Sequence, residues 1–222
     1  MLQYLLRYGR EMSAWDFLLL VFSYAILVFL CLPFHELAHA WVADKCGDDT
    51  ARWHGRLTLN PLAHLDVIGT AMLVLVGFGY AKPVPVNSRK FLHYKRDMIL
   101  VSLAGPLSNL LMAIAAAGIF KICTLFVTDD NTLGFLWLVL INVVMSINVS
   151  LAVFNLLPIP PLDGSRLWST LLPGKWSYTL ERYSRQITWI MFALLMFGAL
   201  DGVLGTLGSV FSAGILRLFG LI

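Results

Sequence analysis

The sequence predicts an all-α polytopic membrane protein, a bundle of about four to five transmembrane helices in one domain over residues 1–222. Apolar residues make up 59% of the chain and charged residues only 13%, whereas soluble domains carry about 25% charged residues. Uncharged segments long enough to cross the hydrocarbon core recur along the chain. The three cysteines lie far apart, so the pattern supports neither a disulfide framework nor a thiolate metal site.

The uncharged segments define the predicted spans. These are residues 17–34, 98–120 and 133–157, followed by apolar segments within residues 186–216. Asp201 and Gly202 interrupt the last region, which fits either one broken span or a hairpin. Small residues such as Ala113 and Ala117 in the second span predict close helix packing. The core of the domain is expected over about residues 17–175, with the C-terminal apolar segments added to it.

A small re-entrant or β-like insertion is predicted after the first span. Residues 56–60 alternate in polarity as a strand does. Residues 67–81 are apolar but short, and they contain three glycines, so they favour a segment that re-enters the membrane without crossing it.

Loop charge predicts the orientation. Residues 82–96 and 164–185 are rich in lysine and arginine, whereas residues 121–131 hold one lysine and two aspartates. The positive-inside rule then makes the first two loops cytoplasmic and the third external. The expected location is a cell membrane, with multiple spans. Residues 1–16 mix polar and apolar side chains and fit a short interfacial helix.

A histidine pair follows directly on the first span. His35 and His39 are four residues apart, so on a helix both rings project from one face and can bind one Zn²⁺. Glu36 flanks the two rings and can serve as a general base without being a ligand. Ionisable groups next to an uncharged span are expensive and mostly functional. The structural alternative is an amphipathic helix end with interfacial histidines.

A catalytic zinc needs a third protein ligand. The candidates are His54, His64, His93, Asp66 and Asp163. Asp163 follows three prolines that break the preceding helix, and a carboxylate there has a purpose if it binds metal. The histidine pair and Asp163 follow the C-terminal ends of the spans 17–34 and 133–157. These two ends lie on the same side of the membrane only if residues 67–81 do not cross it, and this interpretation favours Asp163 as the third ligand. His93 lies among basic residues and fits a solvated role, whereas His64 and Asp66 fit either a gate near the metal or a local turn.

Two segments about 120 residues apart resemble the site-2 protease family of intramembrane zinc metalloproteases. They are His-Glu-Leu-Ala-His at residues 35–39 and Asn-Leu-Leu-Pro-Ile-Pro-Pro-Leu-Asp-Gly at residues 155–164. Residues 59–66 and 104–109 resemble segments common in short bacterial and archaeal members. The resemblance covers about residues 17–175 and indicates the compact type without PDZ or CBS domains.

The resemblance implies one zinc ion per chain, bound by His35, His39 and Asp163, with Glu36 as the general base on a zinc-bound water. It implies that Asn155 helps to bind substrate or to stabilise the oxyanion, although an interhelical hydrogen bond explains this residue equally well. Asn148, seven residues earlier on the same helix face, fits a packing contact.

The implied activity is hydrolysis of peptide bonds in or near transmembrane segments of membrane proteins, as in regulated intramembrane proteolysis. The expected partners are the lipid bilayer and a substrate with a transmembrane helix, with no nucleic acid. The active site is expected to open towards the cytoplasmic side. Two other functions stay open from sequence: a membrane metal-ion transporter, and a catalytically silent scaffold. The oligomeric state and the substrate are not predicted.

Overall fold

The computed structural model describes residues 13–76, 79–127 and 132–222, which form helices and loops without a β-strand. The helices are α1 (Ala14–Ile26), α2 (Leu32–Lys45), α3 (Thr50–Trp53), α4 (Pro61–His64), α5 (Val67–Val76), α6 (Tyr94–Thr124), α7 (Thr132–Asn155), α8 (Asp163–Leu171), α9 (Gly174–Arg182), α10 (Ser184–Met196) and α11 (Asp201–Leu218). A π-helical turn, Leu27–Cys31, joins α1 to α2, and a 3₁₀ turn, Ser88–Lys90, precedes α6. Most of the interfacial helix predicted over residues 1–16 lies outside the described residues.

Three described helical segments are long and apolar enough to cross a membrane. They are Ala14–Lys45, Tyr94–Thr124 and Thr132–Asn155. Helices α10 and α11 together form a fourth candidate, but they meet at 83° across a short break. Gly198 lies in that break with a φ of +70°, a conformation that favours glycine. The described residues thus support three to four spans, and the predicted count of four to five is not confirmed.

Close packing of α6 against α7 forms the centre of the bundle. Ala113 and Ala117 of α6 are fully buried, as the small-residue pattern predicted. They pack with Val149 of α7 and with Ile215 of α11. Because α6 contributes only small side chains to this contact, the two helices can approach closely, which is how membrane helices associate when apolar burial no longer drives them together. Large apolar side chains elsewhere on these helices, such as Leu111, remain exposed and suit a lipid environment.

The insertion between α2 and α6 is helical and irregular, so the β-like prediction for residues 56–60 is wrong. The Arg56 guanidinium donates to the carbonyls of Ala63 and Lys82, and the His64 ring contacts the Thr58 carbonyl at 2.8 Å. These side chains bind carbonyl groups and fold the segment back on itself. Alternating polarity therefore reflected local side-chain contacts and not a strand.

Helix α5 lies in the segment of residues 64–82, whose two ends are joined by a backbone hydrogen bond. The ten residues Val67–Val76 are about 15 Å long, half the thickness of a hydrocarbon core. The backbone N–H of Lys82 donates to the carbonyl of His64 at 2.7 Å. A Cβ on Gly69 would collide with the Tyr80 carbonyl, so glycine permits this close return. The two ends of the segment, at His64 and Lys82, therefore lie next to each other.

Candidate metal centre

Helices α2 and α8 bring three side chains into one cluster. The Nε2 atoms of His35 and His39 are 3.1 Å apart, and each lies 3.1 Å from Oδ2 of Asp163. Both histidines are buried, and Asp163 is largely buried. Among the described residues this is the one group of three such side chains close enough to hold a metal ion. The structure thus brings together the three residues that the sequence predicted as ligands.

The chain segments around the cluster explain how it forms. His35 and His39 lie one turn apart on α2, directly after the π-helical turn, and such turns are frequent at functional sites. Asp163 is the first residue of α8, where the helix dipole favours a carboxylate. A Cβ on Gly164 would collide with the carbonyls of Leu156 and Leu157, so glycine lets α8 begin close to the end of α7.

Nδ1 of each imidazole, the ring nitrogen that does not face Asp163, also has a hydrogen-bond partner. Nδ1 of His39 lies 2.7 Å from the carbonyl of Val101, and Nδ1 of His35 lies 2.6 Å from Oδ1 of Asn109. A carbonyl only accepts hydrogen bonds, so Nδ1 of His39 carries a proton, and in the neutral ring its Nε2 is left with a lone pair towards Asp163. Metal-binding histidines commonly have their second nitrogen bound in this way.

The donor set fits a zinc ion. Two imidazole nitrogens and a carboxylate are typical ligands of catalytic zinc, at about 2.0–2.2 Å from the metal. Ligand atoms at those distances in a tetrahedron are about 3.3–3.6 Å apart, slightly more than the 3.1 Å separations. Lone pairs and a carboxylate facing one another repel unless a metal ion or a proton lies between them. A Cβ on Gly105 of α6 would collide with both imidazole rings, so glycine leaves the rings the space that they occupy.

The cluster borders a cavity of about 340 Å³. Glu36, Asn155 and Arg166 line the cavity together with the cluster. Oε2 of Glu36 accepts a hydrogen bond of 3.1 Å from the backbone N–H of Val84, which belongs to residues 79–86 along one side of the cavity. The Asn155 amide donates to the Leu151 carbonyl of its own helix at 3.0 Å. That bond does not link two helices.

The other candidate ligands have local contacts. His54 is exposed and contacts the Thr50 carbonyl at 2.8 Å, while the backbone of His93 donates to Asp97 at the start of α6. Asp66 accepts from the N–H of Gly69 at the start of α5. His64 is buried, and its ring contacts the loop as described above. The local-turn interpretation of His64 and Asp66 therefore agrees with the geometry better than a gate does.

Four groups beside the site were not assigned from sequence. They are the Val84 N–H, the Val101 carbonyl, Gly105 and Asn109. Gly105 and Asn109 belong to residues 104–109, whose resemblance to family members was the available signal. The two backbone groups leave no signal, because every residue except proline carries the same N–H and carbonyl.

Apolar spans surround the buried His-His-Asp cluster, an arrangement that fits a metallopeptidase embedded in a membrane. Residues 117–198 match the family described as "Peptidase family M50". The chain is 42% identical over 158 residues to "Putative zinc metalloprotease YwhC" of Bacillus subtilis, covering 67% of this chain and 68% of that protein.

Two further relatives have similar names. The chain is 34% identical over 147 residues to "Putative zinc metalloprotease Rip2" of Mycolicibacterium smegmatis, covering 62% of this chain and 52% of that protein. It is 31% identical over 160 residues to "Putative zinc metalloprotease MJ0611" of Methanocaldococcus jannaschii, covering 66% and 75%. No solved structure matches the chain. The chain belongs to peptidase family M50, the site-2 protease family.

Proposed function

We propose that this chain is an intramembrane zinc endopeptidase that cleaves peptide bonds in or near transmembrane segments of membrane proteins. The observation that carries the proposal is the His-His-Asp triangle beside a cavity that Glu36 also lines, within a bundle of apolar helices. The names of the relatives support zinc as the metal. The whole chain, residues 1–222, acts as one protease domain in this proposal.

His35, His39 and Asp163 are proposed to hold one zinc ion per chain. The three side chains border the cavity, from which a further ligand could reach the ion, as catalytic sites with three protein ligands require. When bound, zinc polarises the scissile carbonyl and lowers the pKa of water to about 7.

Glu36 is proposed as the general base. Its carboxylate lines the cavity and is half-buried, so it can accept a proton from the attacking water. The same carboxyl then passes that proton to the leaving amine. The Val84 N–H donates to this carboxylate and holds its orientation.

Asn155 is proposed to bind the developing oxyanion. A side-chain amide has two N–H groups, and only one is needed for the bond to the Leu151 carbonyl. The other can donate to a substrate carbonyl in the cavity that Asn155 lines. A donor of this kind acts most strongly where water is excluded.

The site is proposed to open towards the cytoplasm, with the segment of residues 67–81 re-entering the bilayer. Both ends of that segment lie together, as a re-entrant segment requires, and the basic loops 82–96 and 164–185 favour the cytoplasmic side. A transmembrane substrate has its carbonyls hydrogen-bonded within its helix. The substrate must therefore unwind locally before its scissile bond can reach Glu36.

The decisive experiment compares wild-type protein with Glu36→Gln in the same cells, reading new peptide termini of membrane proteins by mass spectrometry. Cleavage should disappear in Glu36→Gln while the zinc content of the purified protein stays unchanged. Glu181→Gln is the matched control, because Glu181 is an exposed residue of α9. Cleavage that persists in Glu36→Gln contradicts the proposed base. Zinc binding without any Glu36-dependent cleavage favours a transporter or a scaffold.

A further inference from the structure

Two asparagines lie next to the cluster without a part in the proposed chemistry. Asn109 of α6 and Asn148 of α7 are both fully buried. Nδ2 of Asn109 donates to Oδ1 of Asn148 at 2.8 Å, which confirms the predicted packing contact of Asn148. Oδ1 of Asn109 lies 2.6 Å from Nδ1 of His35. The two amides therefore connect a predicted metal ligand to the interior of α7.

The direction of every bond in this series follows from its far end. Nδ2 of Asn148 lies 2.8 Å from the carbonyl of Val144 and 3.2 Å from the sulfur of Cys31. A carbonyl cannot donate, so the atom beside it must be the Asn148 amide nitrogen. Oδ1 of Asn148 is then an acceptor, and it requires the Asn109 nitrogen as its donor.

The orientation of Asn109 determines which nitrogen of the His35 imidazole carries a proton. With its nitrogen turned to Asn148, Asn109 presents its oxygen to His35, and that oxygen only accepts. Nδ1 of His35 must therefore carry a proton, and in the neutral ring its Nε2 is left with a lone pair towards Asp163. His39 reaches the same state by a single bond to the Val101 carbonyl. The proton on Nδ1 of His35 thus depends on the side chains of Asn109 and Asn148, whereas the proton on Nδ1 of His39 depends on one backbone carbonyl.

We propose that Asn109 and Asn148 are positioning residues, which form a relay that holds His35 in the Nδ1–H tautomer and keeps its Nε2 free to bind metal. This inference rests on the proposed zinc centre. Asn109 acts directly on His35, and Asn148 acts through Asn109. Loss of such an outer partner typically weakens metal binding about 10–100-fold.

The test measures zinc affinity by chelator competition on purified protein in detergent. Asn109→Leu removes the acceptor for His35, and zinc should bind about 10–100-fold more weakly. Asn109→Asp keeps an oxygen acceptor for His35 but loses the donor to Asn148, so its zinc affinity should fall less than that of Asn109→Leu. Asn148→Leu should show a smaller loss than Asn109→Leu. Asn142→Leu, at an exposed position on the same helix as Asn148, should show none.

A second measurement reads the tautomer directly. Protein labelled with ¹⁵N-histidine and freed of metal should show a protonated Nδ1 for His35, assigned by comparison with His35→Gln. A protonated Nε2 with a bare Nδ1 overturns the relay, even if Asn109→Leu does not fold. Equal zinc affinity in wild type and Asn109→Leu also overturns it, as does equal weakening by Asp and Leu at residue 109. A wild-type protein that binds no zinc contradicts the proposed function. In that case the ¹⁵N-histidine spectrum, which is recorded without metal, still tests the relay by itself.

Discussion

The backbone N–H of Val84 donates a hydrogen bond of 3.1 Å to Oε2 of Glu36. Val84 lies between Pro83 and Pro85, which have no N–H, so it supplies the one backbone donor of these three residues. The surrounding segment is held at both ends, by the Lys82 bond to His64 and by the bond of the Asn87 N–H to Asp48 at 2.6 Å. The proposed base is therefore oriented by a loop that is anchored at His64 and Asp48 and packs against Ala40 of α2.

Replacing Val84 by proline removes this donor. We expect cleavage to fall about 10–100-fold, because a hydrogen bond to a charged group contributes about 1.5–3 kcal/mol. Zinc content should not change. Val84→Ala is the matched control, since it trims the same buried side chain and keeps the N–H. Equal activity in the proline and alanine variants, measured as kcat/KM on one cleaved membrane protein, argues against the orienting role.

The metal ligands can be tested by binding alone. His35→Ala and Asp163→Asn should each lose most of the zinc measured by elemental analysis, because each removes one of three proposed ligands. A ligand that binds only the folded state stabilises it by about 2.7 kcal/mol at 100 times its Kd, so a chelator should lower the Tm of the wild type. The same chelator should leave the Tm of Asp163→Asn unchanged.

His54→Ala is the control for the ligand variants. Its exposed ring contacts only the Thr50 carbonyl among the hydrogen bonds seen, so its zinc content should equal that of the wild type. Zinc retained in Asp163→Asn, or lost in His54→Ala, is the result that counts against the His-His-Asp centre.

Gly105 leaves no room for a side chain beside the imidazoles. Gly105→Ala should displace His35 or His39, and overpacking of this kind costs about 1–3 kcal/mol. Zinc affinity and Tm should both fall. Gly205→Ala on α11 is the matched control, because its Cβ would meet no atom within 4 Å. Unchanged zinc binding in Gly105→Ala means that the rings have space to move.

Asn155→Ala distinguishes the two interpretations of this residue. Loss of an oxyanion donor should lower kcat about 10²–10³-fold with zinc content and Tm unchanged. A purely structural role instead lowers Tm and leaves kcat near normal. Asn142→Ala on the same helix is the control, since Asn142 is exposed and does not line the cavity of the cluster.

The orientation predicts which residues a membrane-impermeant thiol reagent can reach. In a Cys123→Ser background, Leu125→Cys after α6 should react in intact cells, because Leu125 is exposed on the predicted external side. Lys175→Cys should react only in inverted membrane vesicles, because its loop is predicted to be cytoplasmic. Cys31 and Cys46 are buried and should not contribute. The reverse labelling pattern contradicts a site that opens to the cytoplasm.

Much of the fold could be predicted because a bilayer acts on each segment separately. An uncharged stretch of sufficient length is stable as a spanning helix whatever its neighbours are. Residues 98–120 fall within α6, and the predicted span 133–157 runs only two residues past the end of α7. The small-residue pair Ala113 and Ala117 likewise indicated its own packing. The β-like prediction for residues 56–60 was wrong because alternation cannot show that Arg56 and His64 bind carbonyls within the same insertion.

The sequence by itself determined the membrane class, the main spans and the convergence of His35, His39 and Asp163, since helix periodicity and loop charge are local properties. That these residues bind zinc stays a prediction. The tertiary structure alone decided what surrounds them: the Val84 N–H on Glu36, the Val101 carbonyl on His39 and the two asparagines behind His35. The physical reason is that backbone groups are alike at almost every position, and a buried amide becomes donor or acceptor only through the partners that folding places beside it.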